Sequence, residues 1–427
     1  MNASHRVAGW AVLLGIGLAT LALGANRPPA WIALTGLCLG VASLLWLAGR
    51  QTALPPRGAA LAFAAVVLWC VLQTLPVFPP PISHPLWTLV ERSPAPISAD
   101  PLAGLLGAVR LMGYGLAFWI IWQAAADRAW RRAAVSAMAL ALAALSAFGL
   151  WAWIRGSNPI LTTGASDVVT ATFLNRNAFA TAAGIGVVAN LTLFRLSQAR
   201  RSKMMYAGAL TTCVAALAFS ESRGGVLATV IAVAGVLAVL GHWRWAVTGA
   251  LAVAAALAAL SPGLIDRTTG LGIDSARIEI YLHILTALGE RPILGHGLGG
   301  FEASFSHHIP AELAFGEWRK AHNTYLETVY ELGLPAAFLF LAAMGACLIP
   351  AIKAMNPKEP AAVAALGATV LFGTHGLFDF SVQVPANAYL FLTCLALGVG
   401  ASRQSADKST LETYSLRGVP HSDRNKA

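Results

Sequence analysis

Charge is scarce in this chain of 427 residues: 29 Lys and Arg and 19 Asp and Glu make up only 11% of it, against 57% hydrophobic residues. A soluble protein of that size carries about 25% charged residues, so a soluble globular domain is excluded and a polytopic membrane protein is indicated. Cysteine is equally sparse. Cys38, Cys70, Cys213, Cys347 and Cys394 all fall inside apolar runs and none is spaced as CxxC. That reads as packing, neither a disulfide framework nor a metal site. No carboxylate or cysteine stands at zincin-like or finger-like spacing from His296, His307 and His308, which argues against a metal. The run "GHGLGGF" lacks the Lys-Ser/Thr of a phosphate-binding P-loop and follows no strand, so a nucleotide site is not indicated either. No internal repeat or separate soluble domain is visible.

What the chain does have is apolar length. Runs of about 20 apolar residues give twelve candidate spans, at 7–25, 30–48, 59–75, 102–125, 133–154, 176–194, 204–220, 225–241, 245–262, 323–350, 361–378 and 385–402. The fold class is therefore all-α: one helical membrane domain over 1–402, then a hydrophilic tail over 403–427 expected to be disordered and cytoplasmic. Forty glycines and many alanines fit helices packed through small residues. The first apolar run is nearer a full span than the core of a signal peptide, which points to an uncleaved first helix.

The formal charge of +10 would suggest nucleic acid in a soluble protein. In a membrane protein it reports orientation, and no nucleic-acid partner is implied. With the N-terminus inside, 18 Lys and Arg fall on the cytoplasmic side, among them Arg128, Arg131 and Arg132, and ten fall outside, leaving Arg110 within a span. That bias puts both termini in the cytoplasm. The largest non-membrane segment, 263–322, is then an outer loop. Within it "DSARIEIYLHILTALGERP" predicts an amphipathic helix lying on the membrane surface, capped by Asp274 or Ser275, striped by Ile278, Leu282 and Leu285, and stopped by Gly289 and Pro292.

The same orientation sets several polar groups on the outer side. They are Asn175, Arg176 and Asn177 in "FLNRNAFA", Arg223 in "SESRGG", Arg277, His322, and His375 with Asp379 in "THGLFDF". Each has a bland alternative. Arg176 either snorkels at a helix end or binds an anion. The glycines after Arg223 either serve a tight hairpin or let a bulky anion approach the backbone. Arg277, in the first turn of the amphipathic helix, works against the dipole unless an anion is near. His375 and Asp379, four apart on one helix face, either stitch helices together or support a site. Arg110 lies about 12 Å inside its span, where a charge needs a partner or a wet cavity. In "AHNTYLETVYELG", Glu327 and Glu331 are expected in the first turns of the tenth span, where the dipole favours carboxylates. Helix anchoring does not account for His322.

Arginines suit a diphosphate, which they grip bidentately, and a histidine suits proton removal from a hydroxyl near neutral pH. Together they make an inventory for glycosyl transfer from a polyprenyl-diphosphate sugar, with no ATP needed. The stretches "FLNRNAFATAAGIG", "SESRGGVLA", "DSARIEIYLHILTALGERPILGHGLGGF", "AHNTYLETVYELGLPAA" and "THGLFDFSVQVPANA", in that order over about 173–388, resemble the O-antigen ligase and polymerase superfamily of bacterial membrane glycosyltransferases. The resemblance implies an all-helical fold of the C-type glycosyltransferase kind, in the inner membrane, with its site facing the periplasm. It implies Arg223 and Arg277 as donor diphosphate ligands and His322 as the catalytic histidine. Asn175, Arg176, Asn177, Arg110, Asn323, Glu331, His375 and Asp379 are supporting candidates. The implied partners are an undecaprenyl-diphosphate-linked glycan, an acceptor glycan or lipid A-core, and membrane lipids, with no cofactor and no metal.

Ligase and polymerase share these motifs. A lipid-linked sugar transporter or flippase also suits twelve spans and a buried Arg110, but predicts repeats between halves. A scaffold for a polysaccharide complex would tolerate Arg223→Lys.

Overall fold

A computed structural model of the chain describes residues 3–49, 55–161, 167–242, 244, 248–249, 272–310 and 318–416, with side chains described throughout except at 272–277 and 403–416. It is a helical bundle. In chain order the helices are α1 (Ala3–Leu21), α2 (Pro28–Leu47), α3 (Arg57–Gln73), α4 (Pro101–Ala124), α5 (Arg128–Ile154), α6 (Arg176–Leu196), α7 (Arg200–Phe219), α8 (Arg223–Val239), α9 (Gly272–Glu290), α10 (Phe301–Phe305), α11 (Thr324–Leu332), α12 (Leu334–Lys353), α13 (Pro360–His375) and α14 (Pro385–Leu416). The β structure among the described residues is one isolated bridge, Phe78 with Ala95.

Among the described residues, eight helices are long and apolar enough to cross a membrane, and α3, α8 and α13 are shorter apolar helices. Ten of the twelve expected spans thus coincide with a single helix and the tenth is divided between two; the ninth, 245–262, lies almost wholly outside the described residues. The tail expected over 403–427 begins inside α14, and residues 417–427 lie outside the described set. All five cysteines are free and buried.

Helices α6 and α14 are the buried centre, and α2, α7 and α12 are the rim. The reason is side-chain size. Helix α6 is "RNAFATAAGIGVVANLTLFRL", and a Cβ on its Gly184 would stand 2.6 Å from Leu371 of α13, so neighbouring backbones approach as closely as small residues allow. Helix α12 instead exposes Leu334, Phe338, Leu341 and Ile349, which a lipid-facing helix requires.

A second layer covers the end of the bundle where α3, α11 and α13 meet. Buried Arg291 fixes it by donating to the carbonyls of Gly295, Ser83 and Ile82 at 3.0, 3.1 and 2.8 Å. Gln73, at the end of α3, donates to the carbonyls of Leu294 (2.8 Å) and Glu331 (3.2 Å). The apolar centre of this layer is Ile280 and Ile284 of α9, Phe301 and Phe305 of α10, and Ala321 and Tyr330.

Three expectations are corrected here. The tenth span is not continuous over 323–350: the chain breaks at Gly333 (φ 78°) into α11 and α12. Gly333 is where it breaks because a Cβ there would collide with the carbonyl of Ile293. Glu331 consequently sits in the last turn of α11, not in a first turn. Helix α9 starts at Gly272, so Asp274 and Ser275 lie within it and residue 277 falls in its second turn. The argument from an unfavourable dipole at Arg277 loses its premise. The stripe Ile278, Leu282 and Leu285 is exposed, while Ile280, Ile284 and Ala287 are buried. The helix is apolar on two faces, one packed on the layer and one turned outward.

Candidate active site

His322 is held in a backbone conformation that side chains other than glycine rarely adopt, at φ 52°. Such strain persists where surrounding contacts over-determine it, and here they do. On one side Ala321 N–H donates to Glu327 at 2.9 Å, and on the other Asn323 caps α11 by accepting from the N–H groups of Tyr325 (3.0 Å) and Leu326 (3.1 Å). The His322 carbonyl accepts from the Tyr281 hydroxyl of α9 at 2.8 Å. Its ring sits edge-on between Trp318 and Phe380, with centroids at 6.0 and 5.1 Å.

The imidazole Nδ1 faces the Asp379 carboxylate at 3.6 Å, within ion-pair range but longer than a hydrogen bond. Asp379 is fixed by other groups. It accepts from Asn177 Nδ2 at 2.7 Å, from Ser381 N–H at 2.9 Å and from the Ser381 hydroxyl. Burial works to raise its pKa, but His322, the nearby His375 and the Ser381 hydroxyl outweigh that and hold it at about 2. Asp379 is thus an anion at any physiological pH, aimed at one nitrogen of His322 and leaving Nε2 for another partner. Sequence spacing paired Asp379 with His375. The structure gives its carboxylate to His322 and Asn177 instead, because α13 ends at His375 and the chain turns before Asp379. Only the backbone keeps the helical bond, Asp379 N–H to His375 carbonyl at 3.0 Å.

His375 is fully buried. Its Nδ1 meets the Thr181 hydroxyl of α6 at 2.8 Å, and its Nε2 has no hydrogen-bond partner among the described residues. Gly224 brings the start of α8 against that ring: a Cβ there would stand 3.2 Å from Nε2. Arg223 is therefore the first residue of a helix whose N-terminus adjoins the His375–Asp379–His322 group. Ser222 caps that helix by accepting from Gly225 N–H at 3.2 Å, and Glu221 before it is strained like His322, at φ 54°. A helix N-terminus that also carries an arginine favours an anion. Position 277 lies one turn before Tyr281 on α9; its side chain is outside those described.

The other candidates divide. Asn175 is spent as the N-cap of α6, accepting from the N–H of Asn177 at 2.7 Å, and Arg176 is the first residue of that helix, half-buried. Arg110 in α4 lies over the Trp31 ring at 5.9 Å, so its partner is an aromatic face. Glu331 is 5% exposed and accepts from Phe301 N–H at 3.4 Å. Burial and the nearby Glu327 push its pKa up to about 7, against the pull of Lys320. His296, one of three histidines weighed as metal ligands, pairs with buried His84 at 2.9 Å, while His308 meets Glu290 at 3.1 Å.

Sequence reasoning missed Lys320. Its ammonium donates to Glu327 at 2.6 Å and to Gln383 at 3.2 Å, tying the His322 strand to the turn before α14. Its adjacency to the histidine in "RKAHN" was the available signal. Trp318, Phe380 and Tyr281, which box in His322, carry no pattern a single sequence reveals.

A family model described as O-antigen ligase matches residues 207–341. That stretch runs from α7 through α8 and α9 to α12 and supports the resemblance for "SESRGGVLA", "DSARIEIYLHILTALGERPILGHGLGGF" and "AHNTYLETVYELGLPAA", while "FLNRNAFATAAGIG" and "THGLFDFSVQVPANA" lie outside it. No curated protein matches the chain. The match covers about a third of the chain and, with the apolar helices, supports an O-antigen ligase-like membrane enzyme in general terms.

Proposed function

We propose that the chain is a glycosyltransferase of the bacterial inner membrane. It moves a glycan from an undecaprenyl-diphosphate donor to an acceptor hydroxyl at the periplasmic face, in lipopolysaccharide or surface-polysaccharide assembly. The observation that carries this reading is the His322–Asp379 pair, braced by Asn177 and adjoining the Arg223 helix start, in a chain matching O-antigen ligase over 207–341.

In this reaction the acceptor O–H gives its proton to His322 Nε2, and the oxygen attacks the anomeric carbon of the donor sugar. The bond from that carbon to the diphosphate oxygen breaks, and its electron pair leaves with undecaprenyl diphosphate, inverting the anomeric centre. Asp379 positions His322 and stabilises the imidazolium, an anionic orienter behind a histidine base. The 3.6 Å gap closes in the substrate complex, as catalytic contacts commonly do. Arg223 and Arg277, with the N-terminus of α8, hold the leaving diphosphate. Lys320 and Glu327 keep the strand bearing His322 in place.

In a ligase the acceptor hydroxyl belongs to lipid A-core, and in a polymerase it belongs to another glycan repeat. The test uses His322→Ala and Arg223→Lys in cells, each at wild-type membrane abundance, with surface glycan and its lipid-linked precursor measured together. Both variants are expected to lose surface glycan and accumulate precursor. Normal display by His322→Ala would remove the proposed site. Acceptor identity is then read from where glycan is lost: lipid A-core left bare indicates a ligase, and single repeats left unextended indicate a polymerase.

A further inference from the structure

At the opposite end of the bundle from His322, a cavity of about 100 Å³ opens where helix ends converge. Helices α5 and α13 begin there, α12 ends there, and α14 passes through Gly398–Ser402. Glu359, 5% exposed, receives three guanidinium groups: Arg128 Nε at 3.2 Å, Arg131 Nε at 3.4 Å and Arg132 Nη2 at 3.9 Å. The neighbouring carboxylate, Asp127, is engaged by Arg6 at 3.5 Å and by Trp130 N–H at 3.0 Å, where it caps α5. This cluster sets four arginines against two carboxylates, and of these Arg128, Arg131 and Glu359 line the cavity.

The arrangement grades from inside to outside. Arg131 is 1% exposed and also donates to the Ala125 carbonyl, so it forms the rear of the cavity; Arg128, about half exposed, lines it toward solvent, and Arg132, equally exposed, reaches Glu359 from outside the lining. Asn356 and Ser402 add neutral polar lining, and Ala351 and Met355 make an apolar wall. The N-termini of α5 and α13 add their partial positive charge. Holding one ion pair together does not require three arginines, and Arg131, the buried one, shares its carboxylate with two further cations, a surplus of positive charge that an anion would offset.

We propose that this cavity binds the phosphodiester headgroup of an anionic phospholipid from the cytoplasmic leaflet. Guanidinium groups grip phosphate oxygens bidentately, and basic pockets between spans on the cytoplasmic side suit anionic lipid headgroups. A free phosphate matches the charge but leaves the Ala351–Met355 wall without a partner, whereas the glycerol and first acyl carbons of a phospholipid cover it. The Lys and Arg count names the leaflet; the cavity itself does not depend on it.

The test titrates the full-length protein in detergent micelles with phosphatidylglycerol, phosphatidylcholine or inorganic phosphate, reading retained lipid by native mass spectrometry and the unfolding midpoint. Phosphatidylglycerol is expected to be retained and to raise the midpoint, and the other two are not. In Arg128→Ala/Arg132→Ala its affinity should fall about fivefold for each arginine removed, with the lipid-free midpoint near that of wild type because both side chains are half exposed. Should that variant not fold, Asn356→Asp, which adds an anion to the lining and leaves the ion pairs in place, should weaken phosphatidylglycerol in the same direction. Equal stabilisation by phosphatidylcholine, unchanged phosphatidylglycerol affinity in the folded variants, or an equal effect of inorganic phosphate would each overturn the proposal.

Discussion

His322 and Glu331 lie nine positions apart, and the structure uses them in opposite ways. His322 faces one nitrogen to a carboxylate held ionised by its neighbours, an orientation that fits the proposed base. His322→Ala should lower transfer by about 10² to 10⁴-fold. Asp379→Asn should lower kcat by roughly 10²-fold with little change in KM for the donor, since it acts through His322; a variant raising only KM would place Asp379 on substrate. Glu331 is instead a buried carboxyl whose pKa is raised to about 7. The folded state binds its proton more tightly than the unfolded state does, so stability declines as pH rises from the unfolded value near 4.3 to about 7. Glu331→Gln removes that penalty. Its stability relative to wild type should therefore rise between pH 5 and pH 8, by on the order of 3 kcal/mol at most, seen as a widening gap in unfolding midpoint. A pH-independent difference would contradict the assignment. Residue identity was legible in the sequence for His322, Asn177 and Asp379, because polar groups beside apolar runs are costly and stand out. Their pairing was not, since it joins positions 177, 322 and 379 through three separate helix ends.

At the scale of elements, the break between α11 and α12 positions the site. The turn at Gly333 lets α11 lie in the layer over the bundle end, where the Glu331 carbonyl accepts from Gln73 at 3.2 Å. Gly295 makes the reciprocal approach: its own Cβ would collide with the Glu331 carbonyl. Gly333→Ala combines a left-handed φ with that collision and should cost more than about 2 kcal/mol, seen as a lowered unfolding midpoint and lost transfer together. A variant as stable as wild type would refute the hinge. Hydropathy alone ran through this break, because no charged residue stands between Glu331 and Lys353 and a single glycine costs a helix only about 1 kcal/mol. Asn175, Ser222 and Asn323, like Asp100 and Asp127, cap helix starts with their side chains, a role their residue types suit because such side chains satisfy N–H groups left open at a helix N-terminus.

At the scale of the whole molecule, composition announced an all-α membrane bundle because only helices satisfy their own backbone in lipid at this apolar content. It did not separate spans from shorter apolar helices, which differ by only a few residues. The two ends of the bundle divide the polar chemistry between them: a His–Asp pair beside an arginine-bearing helix start at one, an arginine-rich cavity at the other. Arg223→Lys tests the first end as a diphosphate site. It retains charge but loses the bidentate fork, and should reduce kcat/KM for the lipid-linked donor by about 10- to 100-fold. Wild-type activity there would favour a scaffold. The most direct test incubates the purified full-length protein in detergent with an undecaprenyl-diphosphate glycan and an acceptor. Wild type should form a covalent glycan–acceptor product and release one undecaprenyl diphosphate for each transfer, and His322→Ala should form neither. Absence of any covalent product from folded, lipid-binding wild-type protein would contradict the enzyme reading and favour a transporter.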